Sequence, residues 1–116
     1  MDRHSRLRES YDIQRVRTAG KTAANGPLVA RILPNKLTPQ RNRYTVIAGK
    51  RVGKSHDRNR CKRVTREALR LYDPELAQGF DVAVIIRGGR AELTDVQVAR
   101  RALGQIFRKA NMLKPD

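Results

Sequence analysis

Aromatic residues are scarce in this chain of 116 residues: phenylalanine, tyrosine and tryptophan together make up 4% of it, and tryptophan is absent. Binding to a membrane surface usually depends on bulky aromatic anchors, and crossing a bilayer needs a long apolar run that this sequence lacks. The first eight residues are charged and have no apolar core of the kind that signal peptides carry. We therefore predict a cytoplasmic protein without a membrane partner.

Cysteine and histidine are also rare, with one cysteine, Cys61, and two histidines, His4 and His56. A single cysteine excludes an internal disulfide and a cysteine-based zinc site. The aspartates are scattered, so the paired carboxylates of a self-sufficient metal nuclease are not visible. We expect no metal bound by the protein alone, no catalytic side chain, and a role for Cys61 as a small buried hydrophobe.

Acidic residues are few relative to basic ones: 26 Lys and Arg stand against 11 Asp and Glu, which gives a net charge of +15. From Ile13 to His56 there are ten Lys and Arg and no acidic residue, and from Lys50 to Arg70 there are nine basic and two acidic residues. Ordinary soluble surfaces intersperse both signs. The concentrated positive charge predicts a polyanionic partner, namely nucleic acid.

The length predicts one domain over 1–116, with flexible ends at 1–8 and 114–116. Ser10 is a candidate helix cap, and Gly20 is a candidate left-handed residue that ends this helix. The predicted elements are helices at 10–19 and 56–72, strands at 28–33, 43–48 and 80–86, and a last helix after a capping box at 94–97.

Strands 28–33 and 43–48 are predicted to form an antiparallel hairpin, because one polar loop separates them. Strands 43–48 and 80–86 are joined by a helix and should be parallel. This order, helix-strand-strand-helix-strand-helix, predicts an α/β (α+β) two-layer sandwich around a small mixed sheet. The last helix keeps its apolar stripe despite Gly104, which costs about 1 kcal/mol relative to alanine.

Helix 56–72 has two distinct faces when its residues are plotted at about 100° per residue. The predicted core face carries Cys61, Val64, Ala68, Leu71 and Tyr72, with Thr65 and Leu69 at its border. The opposite, cationic face carries Asn59, Lys62, Arg63, Arg66 and Arg70. Glu67 is expected to form an ion pair within the helix, near Arg60.

A loop with two glycines, Gly49 and Gly53, leads into this helix and would let the backbone approach phosphates. Its Gly49-x-x-x-Gly53-Lys54-Ser55 spacing is one residue short of a P-loop, so binding of a nucleoside triphosphate is not predicted.

This block resembles the RNR signature of the bacterial ribonuclease P protein family. The resemblance rests on Lys50-Arg51-Val52-Gly53, Arg58-Asn59-Arg60, Lys62-Arg63 and Arg66-Glu67-Ala68. It extends to the first helix around Asp12-Ile13-Gln14-Arg15-Val16, to the strand Asp81–Arg87 and to the closing helix, so that nearly the whole chain is covered.

The resemblance implies a ribosomal-protein-like fold whose strand-helix-strand crossover is left-handed, against the usual rule. It also implies an accessory subunit of an endoribonuclease. The catalytic RNA, with its Mg²⁺, would cut the 5′ leader from precursor tRNA, while the protein binds that RNA and the leader. No small-molecule substrate is implied.

Residue by residue, we assign RNA binding to Lys50, Arg51, Lys54, Arg58, Asn59, Arg60, Lys62, Arg63, Arg66 and Arg70, where guanidinium forks suit phosphate contact. In the family, asparagine at the position of Asn59 is linked to a metal-associated RNA site. The alternative is that Asn59 caps the helix start, and both interpretations stay open.

The leader cleft is implied to lie between the first helix and the sheet, lined by Ile13, Arg17 and Arg31. Relatives commonly carry aromatic residues at these positions, whereas this chain carries an isoleucine and two arginines there. We therefore predict that Arg17 and Arg31 hold the leader by charge, which would make leader binding unusually sensitive to salt. Ordinary core packing is the alternative for Ile13.

Three other functions share the basic charge. The first is a structural RNA-binding protein, such as a ribosomal protein or an RNA chaperone, which would not require the whole RNR block. The second is a DNA-binding regulator, for which a helix-turn-helix pattern is missing. The third is a nuclease with its own active site, which the scattered carboxylates disfavour.

Overall fold

The computed structural model describes residues 5–89 and 91–115. Its main elements are α1 (Ser10–Ala19), β1 (Lys21–Asn25), β2 (Leu28–Pro34), β3 (Arg43–Ala48), α2 (Ser55–Tyr72), β4 (Phe80–Ile86) and α3 (Val96–Lys109). Short 3₁₀ turns at Lys50–Val52 and Asp73–Glu75 lie on either side of α2. The three helices and three of the strands were predicted from the sequence, whereas β1 was not.

The four strands form one mixed sheet in the order β1-β2-β4-β3. The parallel pairing of β3 with β4 is confirmed, but the predicted hairpin between β2 and β3 is wrong, because β4 lies between them and pairs antiparallel with β2. The chain from 35 to 42 crosses the end of β4 instead of turning back. The physical reason is burial: β4 has the most continuous apolar run, and the centre of the sheet is where such a strand is covered on both sides.

The missed strand, β1, pairs antiparallel with β2 from Lys21 to Asn25. Gly26, at φ +54°, and Pro27 form the tight turn between the two strands. β1 has no alternating apolar pattern and contains Ala and Asn, which have little intrinsic preference for strands. Its position at the sheet edge comes from the turn and from pairing with β2.

One face of the sheet is covered by α2 and α3. Alternate residues of the strands, such as Ala30, Val46 and Val84, join Leu69 and Phe107 in a single large apolar core. Cys61 is fully buried there, as predicted.

The opposite face is covered only in part, by α1. Val16 of α1 packs with Leu7 and Ala83 in a second, small cluster, against which Ile13 also lies. α1 therefore adds a partial third layer to the predicted two-layer sandwich. Of the ends predicted to be flexible, 1–4 and 116 lie outside the described residues. The described parts of both ends contact the rest of the domain, since Leu7 is buried and the Lys114 N–H donates to the Glu75 carbonyl at 2.9 Å.

Both ends of α1 differ from their predictions. Glu9, not Ser10, precedes the helix, and its side chain makes no capping hydrogen bond. Gly20 has φ −72° and is not left-handed. Glycine is needed there for space, because a Cβ at Gly20 would lie 2.5 Å from the Val16 carbonyl oxygen and 3.0 Å from the Ile32 nitrogen. The residue therefore lets α1 end directly against β2.

The last two helices need smaller corrections. Leu71, predicted to be buried in α2, is 37% exposed. The cap of α3 is Asp95, whose carboxylate accepts from the Val98 N–H at 3.0 Å, so the predicted capping box begins one residue too early. Gly104 makes room for a neighbour, since a Cβ there would lie 2.5 Å from the Tyr72 hydroxyl oxygen.

Candidate nucleic-acid interface

The ten residues predicted to bind RNA lie on the loop before α2 and on α2 itself, and we call them together the α2 ridge. Eight of them are exposed and two, Arg58 and Lys62, are half-buried. The members of the ridge are Lys50, Arg51, Lys54, Arg58, Asn59, Arg60, Lys62, Arg63, Arg66 and Arg70. The ridge is therefore open to solvent and available to a polyanion.

The loop before α2 turns its basic side chains outward. Val52 is 5% exposed and anchors the 3₁₀ turn in the core, while Lys50 and Arg51 on the same turn are exposed. Gly53 has φ +139°, a conformation that L side chains rarely adopt, and a Cβ there would lie 3.1 Å from Asp57. A glycine is therefore required where the loop enters the helix.

Three ridge arginines are oriented by contacts within the protein. Arg60 Nη2 donates to the Thr94 carbonyl at 2.7 Å, and Arg58 Nη2 donates to Ser55 Oγ at 3.1 Å. Arg70 donates twice to the Glu67 carboxylate, at 2.5 and 3.1 Å. The ion pair predicted for Glu67 is confirmed, but its partner is Arg70 one turn later and not Arg60.

The pair between Glu67 and Arg70 changes the charge of the ridge at its far end. The hydrogen bond from Arg70 lowers the pKa of the Glu67 carboxyl, and the same bond raises the pKa of the Arg70 guanidinium. Both groups are therefore charged at neutral pH and offset each other. Within the part of the chain that the structure describes, Arg63 and Arg66 make no ion pair, so the uncompensated charge lies nearer the middle of the helix.

Asn59 lies in the first half of α2 and is exposed. The residue at the helix cap is Lys54, without a side-chain capping bond, and the Asn59 amide makes no hydrogen bond to the described residues. The capping interpretation of Asn59 is therefore wrong. Its link to a metal-associated RNA site stays a prediction.

The residues predicted to line the leader cleft lie around the C-terminal half of α1. Arg17 is exposed in the last turn of α1, and Arg31, on β2, donates from Nε to the Gly20 carbonyl at 3.2 Å. Ile13 is half-buried and packs against the small cluster under α1, as its core-packing alternative predicted. Arg17 and Arg31 thus share one end of α1, and Ile13 serves mainly to seat the helix.

An ion-pair network fixes α1 on the sheet. Asp81 of β4 is fully buried and accepts two hydrogen bonds from Arg43, at 2.8 and 2.9 Å, and one from Asn35 Nδ2, at 3.0 Å. Arg15 lies 3.9 Å from Asp81, and Arg43 lies 3.7 Å from Asp12, so that both ends of the network reach α1. The hydrogen bond to Asp81 raises the pKa of Arg43. None of these residues was singled out for this role from the sequence.

Two further basic residues, Arg6 and Arg8, were not predicted from the sequence and lie beside β3 next to Arg66. They were assigned to a flexible end. The signal that could have identified them is the apolar Leu7 between two charged residues, which is the alternation of a short strand.

Two further kinds of feature are absent from the described residues. They contain no group of three or more His, Cys, Asp or Glu side chains placed to hold a metal ion. None of the helices within 5–89 and 91–115 combines the length and apolar character of a membrane span.

Comparisons with known proteins agree with this geometry. The ribonuclease P protein component of Caldanaerobacter subterraneus subsp. tengcongensis is 36% identical over 105 residues, which cover 90% of this chain and 88% of the relative. The corresponding protein of Symbiobacterium thermophilum is 32% identical and covers 100% of this chain and 99% of its own.

Solved structures show the same fold. The RNase P protein of Thermotoga maritima has a TM-score of 0.75 at 27% identity, over 89% of this chain and 96% of its own. That of Staphylococcus aureus has a TM-score of 0.80 at 24% identity, over 95% and 98%. The family model described as Ribonuclease P matches residues 1–111. The chain therefore belongs to the ribonuclease P protein family.

Proposed function

We propose that this chain, as the protein subunit of a ribonuclease P ribonucleoprotein, binds the catalytic RNA through the α2 ridge and holds the 5′ leader of precursor tRNA beside α1. Membership of the family makes the chain a subunit of an endoribonuclease that acts in tRNA processing. The family match does not favour a general structural RNA-binding role.

One observation carries the proposal: the α2 ridge is exposed to solvent in a chain that belongs to the ribonuclease P protein family. Eight members that lie along one loop and one helix are exposed, which leaves them accessible to the phosphates of folded RNA. Guanidinium groups suit such contacts, because their planar donors match two phosphate oxygens at once.

The leader site is proposed on the part of the sheet that α1 leaves open. By the strand register, Arg31 shares this face with Thr22 and Ala83. Arg17 lies one helical turn after Ile13, on the same side of α1. Tyr11 is the one large aromatic side chain of α1 and is 78% exposed, but it lies about 200° around the helix from Ile13 and faces away. Charge, and not stacking, is therefore proposed to hold the leader.

The hydrolytic step is assigned to the RNA partner. This part of the proposal follows from the resemblance to the family, which implies that the catalytic RNA holds the metal ions and cuts the leader. Mg²⁺ is accordingly proposed as a requirement of the RNA, and no step is assigned to a protein side chain.

Reconstitution tests the proposal. The experiment uses purified protein, cognate catalytic RNA and precursor tRNA at low magnesium. Each pair of components is tested first, and then all three are combined. We expect cleavage at the mature 5′ end only when protein and catalytic RNA are both present. Cleavage by the protein alone would overturn the assignment of chemistry to RNA, and a protein without effect on the RNA would overturn the subunit role.

The leader site is tested with Arg17→Ala plus Arg31→Ala. The affinity of the assembled enzyme for precursor tRNA with a long leader is compared with that for mature tRNA, over a range of salt. We expect the slope of log affinity against log salt for the leader-bearing substrate to fall by about 1 to 2. An unchanged slope would remove these two residues from the site.

A further inference from the structure

The N-terminal segment forms a short addition to the sheet. Arg6 forms a parallel bridge with Tyr44 of β3, and the Leu7 N–H donates to the Tyr44 carbonyl at 2.8 Å. The Leu7 side chain is 3% exposed, in the cluster under α1. Its burial fixes the residues on either side.

Strand alternation sends the two flanking arginines to the opposite side. Since Leu7 faces α1, Arg6 and Arg8 face the side of the sheet on which α2 packs. Arg66 of α2 lies there, and the three arginines line a cavity of about 230 Å³ at the outer edge of β3. Two segments that are distant in sequence thus bring three arginines to the lining of one cavity.

The cavity has positive charge without a matching negative charge. Of the residues within 5–89 and 91–115, no acidic one lines it. Among the residues that the structure describes, Arg6, Arg8 and Arg66 take part in neither an ion pair nor a side-chain hydrogen bond. Like charges that are held together by the backbone repel each other, and an anion in the cavity would relieve that repulsion.

We propose that Arg6, Arg8 and Arg66 form a binding site for a single phosphate group of the RNA backbone. A phosphate offers several acceptor oxygens, which the forked donors of different arginines can share. Arg66 also belongs to the α2 ridge, so the site extends the surface for the catalytic RNA around the edge of β3 and away from Arg17 and Arg31. The inference rests on the proposed function, because it takes that RNA as the source of the phosphate.

The test compares two double variants with the same loss of charge. Arg6→Gln plus Arg8→Gln removes two arms of the site. Arg101→Gln plus Arg108→Gln is the matched control, since both residues are exposed on α3, which packs beside β1 and β2, toward the edge of the sheet opposite to β3. Affinity for the cognate catalytic RNA is measured by filter binding over a range of salt.

We expect the Arg6 and Arg8 variant to bind the RNA at least about tenfold more weakly than the wild type. If the arginines share one phosphate, the slope of log affinity against log salt falls by about 1 and not by 2. The control variant should keep the slope of the wild type. Equal losses in the two variants would show a general effect of charge and overturn the site.

Two further outcomes separate this inference from the proposed function. A wild-type protein that does not bind the catalytic RNA overturns the proposed function, whereas normal binding that the Arg6 and Arg8 variant retains overturns only the site. Titration with inorganic phosphate, followed by the Nε–H signals of Arg6 and Arg8 in NMR spectra, distinguishes the sources. Weak, millimolar binding supports a backbone phosphate that the RNA delivers, and micromolar binding would identify free phosphate as the ligand instead.

Discussion

The two faces of the sheet are built in different ways. Under α2 and α3, alternate strand residues and helix residues form a continuous apolar core in which Leu69, Phe107 and Val84 are fully buried. Under α1 the apolar contact is small, and the ion-pair network around Asp81 completes the attachment. The first face is suited to supply stability, and the second to hold α1 at a defined place while leaving part of the sheet open.

This difference indicates a separation of tasks. Apolar burial contributes in proportion to area and has no direction, so it keeps the domain folded without deciding where individual charges lie. Directional hydrogen bonds from Arg43 and Asn35 hold the buried Asp81 carboxylate in place. Ion pairs from Arg15 and Asp12 then attach α1 to this network. We expect substitutions on the two faces to affect stability and RNA binding to different degrees.

The largest effect is expected from Phe107→Ala in the core under α2 and α3. The Phe107 ring packs edge-on to Tyr72, with 5.8 Å between ring centroids, and is fully buried. Its truncation should lower the free energy of unfolding by about 4 kcal/mol, measured by urea denaturation. Phe107→Leu should cost about 1 kcal/mol because it nearly conserves volume. A loss below about 1 kcal/mol for the alanine variant would contradict the role of this face.

Asp81→Asn tests the opposite face. The change leaves Arg43 largely buried without its carboxylate partner, and we expect the free energy of unfolding to fall by about 3 kcal/mol. Under conditions where the variant is folded, leader affinity should fall as well, because α1 loses its anchor. Asp12→Asn, whose carboxylate is 3.7 Å from Arg43 and more exposed, should cost less than about 1 kcal/mol. Similar costs for the two variants would refute the central role of Asp81.

A smaller, pH-dependent effect is expected for Tyr44→Phe, at the end of the large core. Burial raises the pKa of the Tyr44 phenol above its ordinary value of 10.0, and the hydrogen bond that its hydroxyl donates to Asp73 raises it further. Because the folded-state pKa is raised, the stabilisation is complete below about pH 10 and is lost as the pH rises above it.

The Tyr44→Phe variant should lose about 1 to 2 kcal/mol at neutral pH, because Asp73 and Asn42 lose a partner. Urea denaturation from neutral pH to about pH 11 should show a steeper fall for the wild type than for the variant. Parallel curves for the two proteins would contradict this explanation.

The smallest effect concerns the contact of α2 with α3 at Gly104. Gly104→Ala alone should lower stability by about 1 kcal/mol, because its Cβ would force the Tyr72 hydroxyl to move. In a Tyr72→Phe background the nearest remaining atom is the ring carbon at 3.5 Å, an ordinary contact. There the same substitution should stabilise by up to about 1 kcal/mol through helix propensity. A double-mutant cycle of thermal or urea denaturation measures the difference, and additive effects would refute it.

Local patterns accounted for most of the elements and for the α2 ridge. The apolar spacing of α2 identified Cys61, Val64 and Ala68 as core residues, and the exposed basic face followed from the same plot. Leu71 was misplaced because it lies near the end of α2, where less of the domain packs against the helix. Helix periodicity is a local property and can be read without knowing the partner of each face.

The pairing of segments that are distant in sequence could not be predicted from local patterns. Neither the position of β4 between β2 and β3 nor the addition of 5–8 to the sheet follows from spacing along the chain. Strand order depends on which arrangement buries the most apolar surface over the whole sheet, and short segments such as 21–25 and 5–8 take part because a neighbouring edge is available.

The sequence by itself determined the basic charge, the family resemblance, the boundaries of α1 and α2 to within one residue, and the side of α2 that faces solvent. Only the tertiary structure decided that Asp81 is buried beneath Arg43, that Glu67 pairs with Arg70, and that Arg6 and Arg8 meet Arg66 at the edge of β3. Charge and periodicity are summed along the chain, whereas the place where side chains from distant segments converge is set by packing in three dimensions.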